Sequence, residues 1–233
     1  MALTDQLSFS LEFENNGDDA TANNLDFTGI NTPTFSTGIT GDATQLDGAF
    51  NQYWTRATHA LLQPGPAFTF EIWAYWDVTA PTLLFAKDGI SSDRSFALYM
   101  DASLNFVTAY VFDASGGVTT AVSMAFGTDI WYQFVMTYDP ADQKVRLIVN
   151  DGTPSVSAAL ALGINTGSTA PVEIGDRASF PAPHYGKIDM ARFWQRVLSA
   201  GEITQLFNSN NGMSYADMTS VADFVYPKIA MAY

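Results

Sequence analysis

The residue types that most often carry out catalysis are scarce in this 233-residue chain. It has no cysteine, which excludes thiolate chemistry and disulfide bonds. Its two histidines, His59 and His184, lie far apart and outside any zinc-type spacing such as H-E-x-x-H. The serine nucleophile motif G-x-S-x-G is also absent. These observations predict a protein that binds or builds and that is not an enzyme.

The charge balance favours some partners over others. The chain carries 24 acidic and 10 basic residues, for a net charge of −14. A surface this acidic repels phosphate backbones, so we expect no nucleic-acid partner. It suits calcium, which takes hard oxygen ligands. No stretch approaches the roughly 20 apolar residues of a membrane-spanning helix, so we expect no membrane span.

Alternating apolar residues dominate the pattern along the chain. Phe9, Leu11 and Phe13 share one face of a predicted strand, and Ser8, Ser10 and Glu12 share the other. Residues 67–76 (AFTFEIWAYW) place aromatic rings on both faces, so both faces are covered or one binds a ligand. About a dozen such runs, separated by Gly, Asn and Asp turns, predict an all-β, two-sheet antiparallel β-sandwich or jelly roll.

One short helix is predicted near the C-terminal end. Ser199 and Glu202 form a capping box, and Ile203, Leu206 and Phe207 follow at helical spacing. The sandwich domain is therefore assigned to residues 1–212. Residues 213–233 form an apolar C-terminal extension, which we interpret either as a closing strand on the same domain or as an assembly arm that docks on a neighbouring subunit.

Several motifs in order resemble the laminin-G-like, concanavalin A-like lectin and glucanase jelly-roll domains. The resemblance covers about residues 3–212 and includes IWYQFVMTYDP, KVRLIVNDG, VEIGDR and GKIDMARFWQRVLSAGEITQLFNSNNG. The residues on family positions are Trp131, Tyr138, Asp139, Asp151, Gly152, Gly175, Gly186, Asp189, Leu198, Ser199, Glu202 and Ile203. Glycoside hydrolases of this fold use a Glu-x-Asp-x-(x)-Glu cluster, whereas Glu71 stands in FTFEIW with no acidic residue two positions away.

The resemblance also implies a metal site. In related jelly rolls, a calcium ion is held by the Asp of the late "G-iD" strand and by main-chain carbonyls of two other segments. The corresponding positions here are Asp189, Glu14 and Gly48. The alternative is that Asp189 accepts backbone N–H bonds and holds no metal. Three aromatic residues near loops or strand ends are candidate sugar-stacking residues, with core packing as the alternative: Tyr53, Trp54 and Tyr110.

Two functions follow as expectations. The first is a recognition or structural component of a larger particle, such as a phage virion decoration, capsid-surface or fibre protein; QLFNSNNGMSYADM resembles phage-type copies of the domain. Its partners would be other virion or assembly proteins and copies of itself, in a homo-oligomer. The second is a free carbohydrate-binding, lectin-like module with a surface glycan as its partner. Because MALTDQLSFSLEF does not resemble a signal peptide, we expect synthesis in the cytoplasm and function on a virion or extracellular surface.

Overall fold

The computed structural model describes residues 1–48, 51–101, 106–125, 127–179 and 181–224 of the chain. Fifteen strands, two α-helices and two short 3-10 helices (Ala60–Leu62 and Asn208–Asn210) are found in these ranges. The strands are β1 Leu7–Leu11, β2 Thr28–Ile30, β3 Thr34–Thr37, β4 Asp42–Asp47, β5 Tyr53–Arg56, β6 Phe68–Trp76, β7 Thr82–Asp88, β8 Arg94–Asp101, β9 Phe106–Phe112, β10 Val118–Ala125, β11 Trp131–Asp139, β12 Lys144–Val149, β13 Ser155–Val156, β14 Val172–Ile174 and β15 Tyr185–Trp194. The helices are α1 Ala200–Phe207 and α2 Tyr215–Phe224.

The strands form two antiparallel sheets, which confirms the predicted sandwich. The eight-stranded sheet runs β13-β12-β11-β6-β15-β4-β3, with β1 paired to β15 beside this path. The seven-stranded sheet runs β10-β9-β8-β7-β14-β5-β2. The first strand and the last therefore lie side by side, because Leu11 of β1 pairs with Ala191 of β15.

The main core lies between the two sheets and is rich in aromatic rings. Phe68 and Phe70 of β6 contact Phe193 of β15, with ring centroids 5.7 Å and 6.3 Å away. The alternation in β6 places these rings inward and Glu71 and Trp73 on the opposite face, where both are also fully buried. Both faces of this strand are covered along most of its length, which is the first of the two alternatives that its aromatic pattern left open.

A second, smaller core covers the outer face of the eight-stranded sheet. Leu198, Ile203 and Leu206 pack there against Trp194 of β15, and Met218 of α2 joins them. Ser199 caps α1 and forms the expected box with Glu202. The beginning of the C-terminal extension therefore packs on its own domain and is helical, where the sequence pattern indicated a strand or an arm. Residues 225–233, the rest of the proposed arm, lie outside the described residues.

A β-bulge in β15 determines which polar side chains face this second core. Asp189 pairs with Trp73, yet Arg192 pairs with Glu71, so β15 has one residue more than β6 in between. Met190 lies in this bulge and adopts a left-handed φ of 46°. As a result Asp189 and Arg192, three positions apart, both lie on the outer face of the sheet. No helix in the described ranges is long and apolar enough to cross a membrane.

Candidate functional site

The outer face of the seven-stranded sheet carries a pocket of about 270 Å³. Its floor is Ala97 of β8, which pairs with the buried Ala86 of β7 on one side and with Tyr110 of β9 on the other. Two adjacent alanines leave a depression, because neighbouring side chains on the same face are larger. The full lining is Leu83, Asp88, Arg94, Ala97, Tyr99, Tyr110, Phe112 and Arg177.

Aromatic rings form one wall of this pocket. Tyr110 and Phe112 lie two residues apart on β9 and therefore share a face. Their rings are nearly parallel, at 7° with centroids 6.2 Å apart. The guanidinium carbon of Arg94 lies 3.8 Å from the centre of the Phe112 ring, a cation–π contact. Tyr110, one of the three candidate sugar-stacking residues, therefore lines the pocket.

Charged groups form the adjoining wall. The buried carboxylate of Asp88 bonds both Arg94 and Arg177, and Arg94 holds it with two nitrogens, one of them at 3.1 Å. Arg177 belongs to the segment between β14 and β15. That segment is held in place because Ala182 donates its N–H to Asp176 at 2.6 Å and accepts the N–H of Leu83 at 2.8 Å.

The other two aromatic candidates lie elsewhere. Trp54 is 6% exposed and packs in the main core against Phe13 and Phe35, with its Nε1–H donated to Thr44 Oγ1 at 2.9 Å. Its position fits the core alternative. Tyr53, on the opposite face of β5, is also buried. Burial raises the pKa of its phenol, as do the nearby carboxylates of Glu173 and Asp176.

Glu173 is a second unusual group on this face. It occupies the same transverse row as the pocket floor, since it pairs with Ala86. Burial raises the pKa of its carboxyl to about 7, although the N–H of Ala178, 3.3 Å away, acts in the opposite direction. At 5% exposure it lies beneath the segment that carries Arg177 and does not reach the pocket lining.

The residues of the expected calcium site do not converge on one point. Asp189 and Glu14 approach one turn: Asp189 Oδ2 accepts the N–H groups of Ile39 and Thr40, at 3.0 and 3.3 Å, and Glu14 accepts that of Asp42 at 3.1 Å. Asp189 Oδ1 accepts the N–H of Met190 at 2.7 Å.

Gly48 lies at the opposite end of β4 from this turn. Its neighbour Asp47 pairs with Tyr185, four residues before Asp189 on β15, or roughly 13 Å at ~3.3 Å per residue. The side-chain oxygens of Asp189 already accept backbone N–H groups, and no cluster of three Asp, Glu or His side chains suited to a metal is found within the described ranges. The three residues as placed do not fit one ion. Calcium binding stays a prediction, and no step below rests on it.

A family model describes most of this chain. The model for the "Concanavalin A-like lectin/glucanases superfamily" matches residues 47–204, more than half of the sequence. The chain belongs to this superfamily. A search of curated proteins gave no match.

Solved structures with the same fold are described as binding domains. The binding domain of Paraclostridial Mosquitocidal Protein 1 is 16% identical with a TM-score of 0.73, covering 89% of this chain and 53% of that one. The botulinum neurotoxin serotype G binding domain is 12% identical with a TM-score of 0.70, covering 88% and 51%. The chain thus spans about half the length of these two structures.

A third similar structure is matched over nearly its whole length. It is domain 4 of AbnA, a GH43 extracellular arabinanase from Geobacillus stearothermophilus, in complex with arabinotriose. The identity is 18% and the TM-score 0.62, with 86% of this chain and 97% of that chain covered. At these identities the similarity establishes the fold alone.

The concanavalin A-like motifs in the sequence did not point to the charged wall of the pocket. Asp88 and Arg177 appear in the sequence as a turn residue in KDG and as the end of VEIGDR. Only the register of β7 with β8, and the fold of the segment after β14, brings them to Arg94. One signal was available: the chain has only 10 basic residues, so each arginine beside a strand end is a candidate for a specific contact.

Proposed function

We propose that this protein is a non-catalytic, sugar-binding module of the concanavalin A-like superfamily, with its site in the pocket on the outer face of the seven-stranded sheet. The observation that carries the proposal is the combination of stacked rings, Tyr110 on Phe112, with the Arg94–Asp88–Arg177 cluster around a shallow floor. Small-molecule sites join an apolar surface to a few fixed polar groups, and aromatic faces with charged donors suit a sugar ring and its hydroxyls.

The test is a glycan array followed by titration of the glycans that bind. Replacing Tyr110 with Ala removes half of the ring pair, and we expect a loss of affinity of about tenfold, the effect of ~1.4 kcal/mol. Trp54→Phe is the matched control: it changes a buried ring outside the pocket and should leave the affinity unchanged. Absence of any bound glycan, or equal binding by the Tyr110→Ala protein, would contradict the proposal.

An assembly role is the second candidate. What favours it is the sequence of residues 225–233, VYPKIAMAY, in which Lys228 is the only charged side chain. In that role the protein would be a virion decoration, capsid-surface or fibre component. Light scattering of the full chain and of a chain ending at Phe224 tests it. An oligomer that dissociates on truncation supports assembly, and two monomers argue against it.

A further inference from the structure

A row of accessible side chains crosses the outer face of the eight-stranded sheet beside α1. Side chains of directly paired residues lie on the same face of a sheet, and β11, β6, β15, β4 and β3 are consecutive neighbours. Each of these strands contributes one residue to the row, which consists of Trp131, Tyr75, Lys187, Gln45 and Thr34. All five are partly or fully exposed, so this set, named the Trp131 row, is open to a ligand.

Trp131 is the tryptophan that the fold leaves accessible. The other four of the five tryptophans are buried, namely Trp54, Trp73, Trp76 and Trp194. Trp131 is partly exposed, and within the described residues its ring contacts Tyr75 while its indole N–H has no hydrogen-bond acceptor. A large apolar ring that also offers a free donor is typical of a binding surface, because one end is apolar and the other is polar.

The neighbouring ring of Tyr75 is fixed by three contacts. The Trp131 ring lies 5.6 Å away, centroid to centroid, at an angle of 55°. The Tyr75 hydroxyl donates to Asp129 Oδ1 at 3.2 Å, and the ammonium of Lys187 lies 5.4 Å from the centre of the Tyr75 ring. The two rings are therefore already ordered, so a ligand that stacks on them pays little ordering entropy.

The charged groups around the row disfavour charged ligands. Lys187 already places a cation over the Tyr75 ring, which disfavours a second cation there. Three carboxylates lie at the same end of the sheet: Asp129 bonds the Tyr75 hydroxyl, Asp77 accepts a side-chain amide of the row at 3.0 Å, and Asp47 belongs to the next row. Three carboxylates beside one ammonium disfavour an anion. Neutral hydroxyl groups suit both, since a hydroxyl donates to a carboxylate and accepts from an ammonium.

The length of the row indicates the size of its ligand. Four steps between neighbouring strands, at ~4.8 Å each, give about 19 Å, which is longer than a single sugar ring. We propose that the Trp131 row is a second sugar site, which binds a neutral oligosaccharide laid across the strands with one sugar ring on Trp131 and Tyr75. This site lies on the opposite outer face from the pocket, so it goes beyond the proposed function and does not depend on Tyr110 or Arg94.

Trp131 also supplies the assay. Because the other tryptophans are buried, acrylamide should quench mainly the fluorescence of Trp131, and a sugar bound on the row should protect it. A glycan array of neutral and acidic linear oligosaccharides selects the sugars, which are then titrated into the full chain as monomer, dimer and tetramer. We expect the neutral tetramer to protect Trp131 and to bind about tenfold more tightly than the dimer, because it spans more of the row. The acidic tetramer should give no protection.

Protein variants then locate the effect. Trp131→Ala and Tyr75→Ala should each weaken binding of the neutral tetramer about tenfold, whereas Tyr75→Phe should retain most of it because the ring stays. Leu162→Ala is the matched control, since it removes an apolar side chain that is 72% exposed outside both sites. Tyr110→Ala should leave the protection of Trp131 unchanged. Protection in the unmodified protein carries the test even if a variant fails to fold.

The outcomes distinguish this site from the pocket. Sugar binding that Tyr110→Ala abolishes, with no protection of Trp131, would place the sugar in the pocket alone and overturn the second site. Protection that survives Tyr110→Ala would support the second site whether or not the pocket binds a sugar. Equal protection by the acidic tetramer would overturn the neutral-ligand assignment. Protection by a lysine-rich peptide and by no neutral sugar would assign the row to a protein partner and overturn the proposal. Absence of binding by every sugar would overturn the second site and the proposed function together.

Discussion

The buried ion pair beneath the second core allows a quantitative prediction. Arg192 and Glu71 are both fully buried, with Nη1 and Oε2 3.1 Å apart, and Arg192 also bonds Glu12 at 2.9 Å and the carbonyl of Met213 at 2.6 Å. Burial disfavours the charged guanidinium, but the two carboxylates more than offset this, so the pKa of Arg192 lies above its ordinary value. Arg192 is thus the cation on which two carboxylates and the C-terminal segment depend.

Replacing Arg192 with Met should cost about 4 kcal/mol of the free energy of unfolding. Removing one partner of a buried pair costs roughly 3–5 kcal/mol because it leaves an uncompensated charge, here Glu71 with only the amide of Gln133 at 2.7 Å as a hydrogen-bond partner. Adding Glu71→Gln to Arg192→Met removes that charge and should recover about 2 kcal/mol. The assay is urea unfolding at pH 7, followed by far-ultraviolet circular dichroism.

The control for this pair is a surface salt bridge. Arg146 and Asp142 are an i,i+4 pair with about a third of each side chain exposed, so Arg146→Met should cost less than ~1 kcal/mol. If Arg192→Met costs no more than this control, or if Glu71→Gln gives no recovery in the Arg192→Met protein, the compensation argument is wrong.

Other predictions concern single buried groups. Burial lowers the pKa of His184 to about 4. His184 then stays neutral in the folded protein, whereas in the unfolded chain it is protonated below a pKa near 6.5. The contribution of His184 to the free energy of unfolding is therefore fully present above pH 6.5, and up to ~3 kcal/mol of it is lost as the pH falls towards 4. Acid unfolding should therefore be less steep for His184→Gln than for the exposed His59→Gln control. Asp189→Ala removes the acceptor of three backbone N–H groups and should lower the free energy of unfolding, measured in urea, by about 3 kcal/mol. A decrease of less than ~1 kcal/mol would contradict the role of Asp189 as their acceptor. Calcium titration calorimetry of this variant and the unmodified chain tests the calcium prediction, which equal heats would refute.

The strands and the first helix could be predicted because each of them depends on the order of neighbouring residues in the chain. Alternation in residues 8–13 and 67–76 marks strands, and the Ser199–Glu202 box marks the start of α1. The helix at Tyr215–Phe224 was not predicted, because its residues show only a weak apolar stripe and Met218 alone of its described side chains is buried in the core. Its position depends on contacts with the sheet.

Neither the candidate pocket nor the Glu71–Arg192 pair could be predicted in the same way, because the residues of each meet only through strand register. Glu71 stands in the sequence as an isolated carboxylate, yet it pairs with Arg192, which is 121 positions away. That pairing requires β15 to be the neighbour of β6 and requires the bulge at Met190 to turn Arg192 outward. Neither the neighbour nor the bulge leaves a periodic signal, so Glu71 could be excluded from a catalytic cluster but not assigned a structural role.

The linings of two pockets, one on each outer face of the sandwich, explain why the pocket of about 270 Å³ is a better candidate than a larger one. A pocket of about 370 Å³ lies beside α1 on the eight-stranded sheet, lined by Thr137, Asp139, Arg146, Ile148, Asp151, Gly152, Pro154, Val197, Leu198, Ala200 and Ile203. It contains no aromatic ring. On that face Trp73 stacks on Phe207 at 3° and Trp194 donates its Nε1–H to the Leu3 carbonyl. Trp131 and Tyr75 are partly exposed on the same face, but they lie outside this pocket.

In the pocket on the seven-stranded sheet, by contrast, Tyr110 keeps part of its ring accessible beside a partly exposed guanidinium. A sheet must cover its apolar face to be stable, so the part of the eight-stranded sheet that α1 covers serves the fold. Of the two pockets, the one on the seven-stranded sheet is therefore the one that joins an accessible aromatic ring to a partly exposed guanidinium, and this combination favours it as the ligand site.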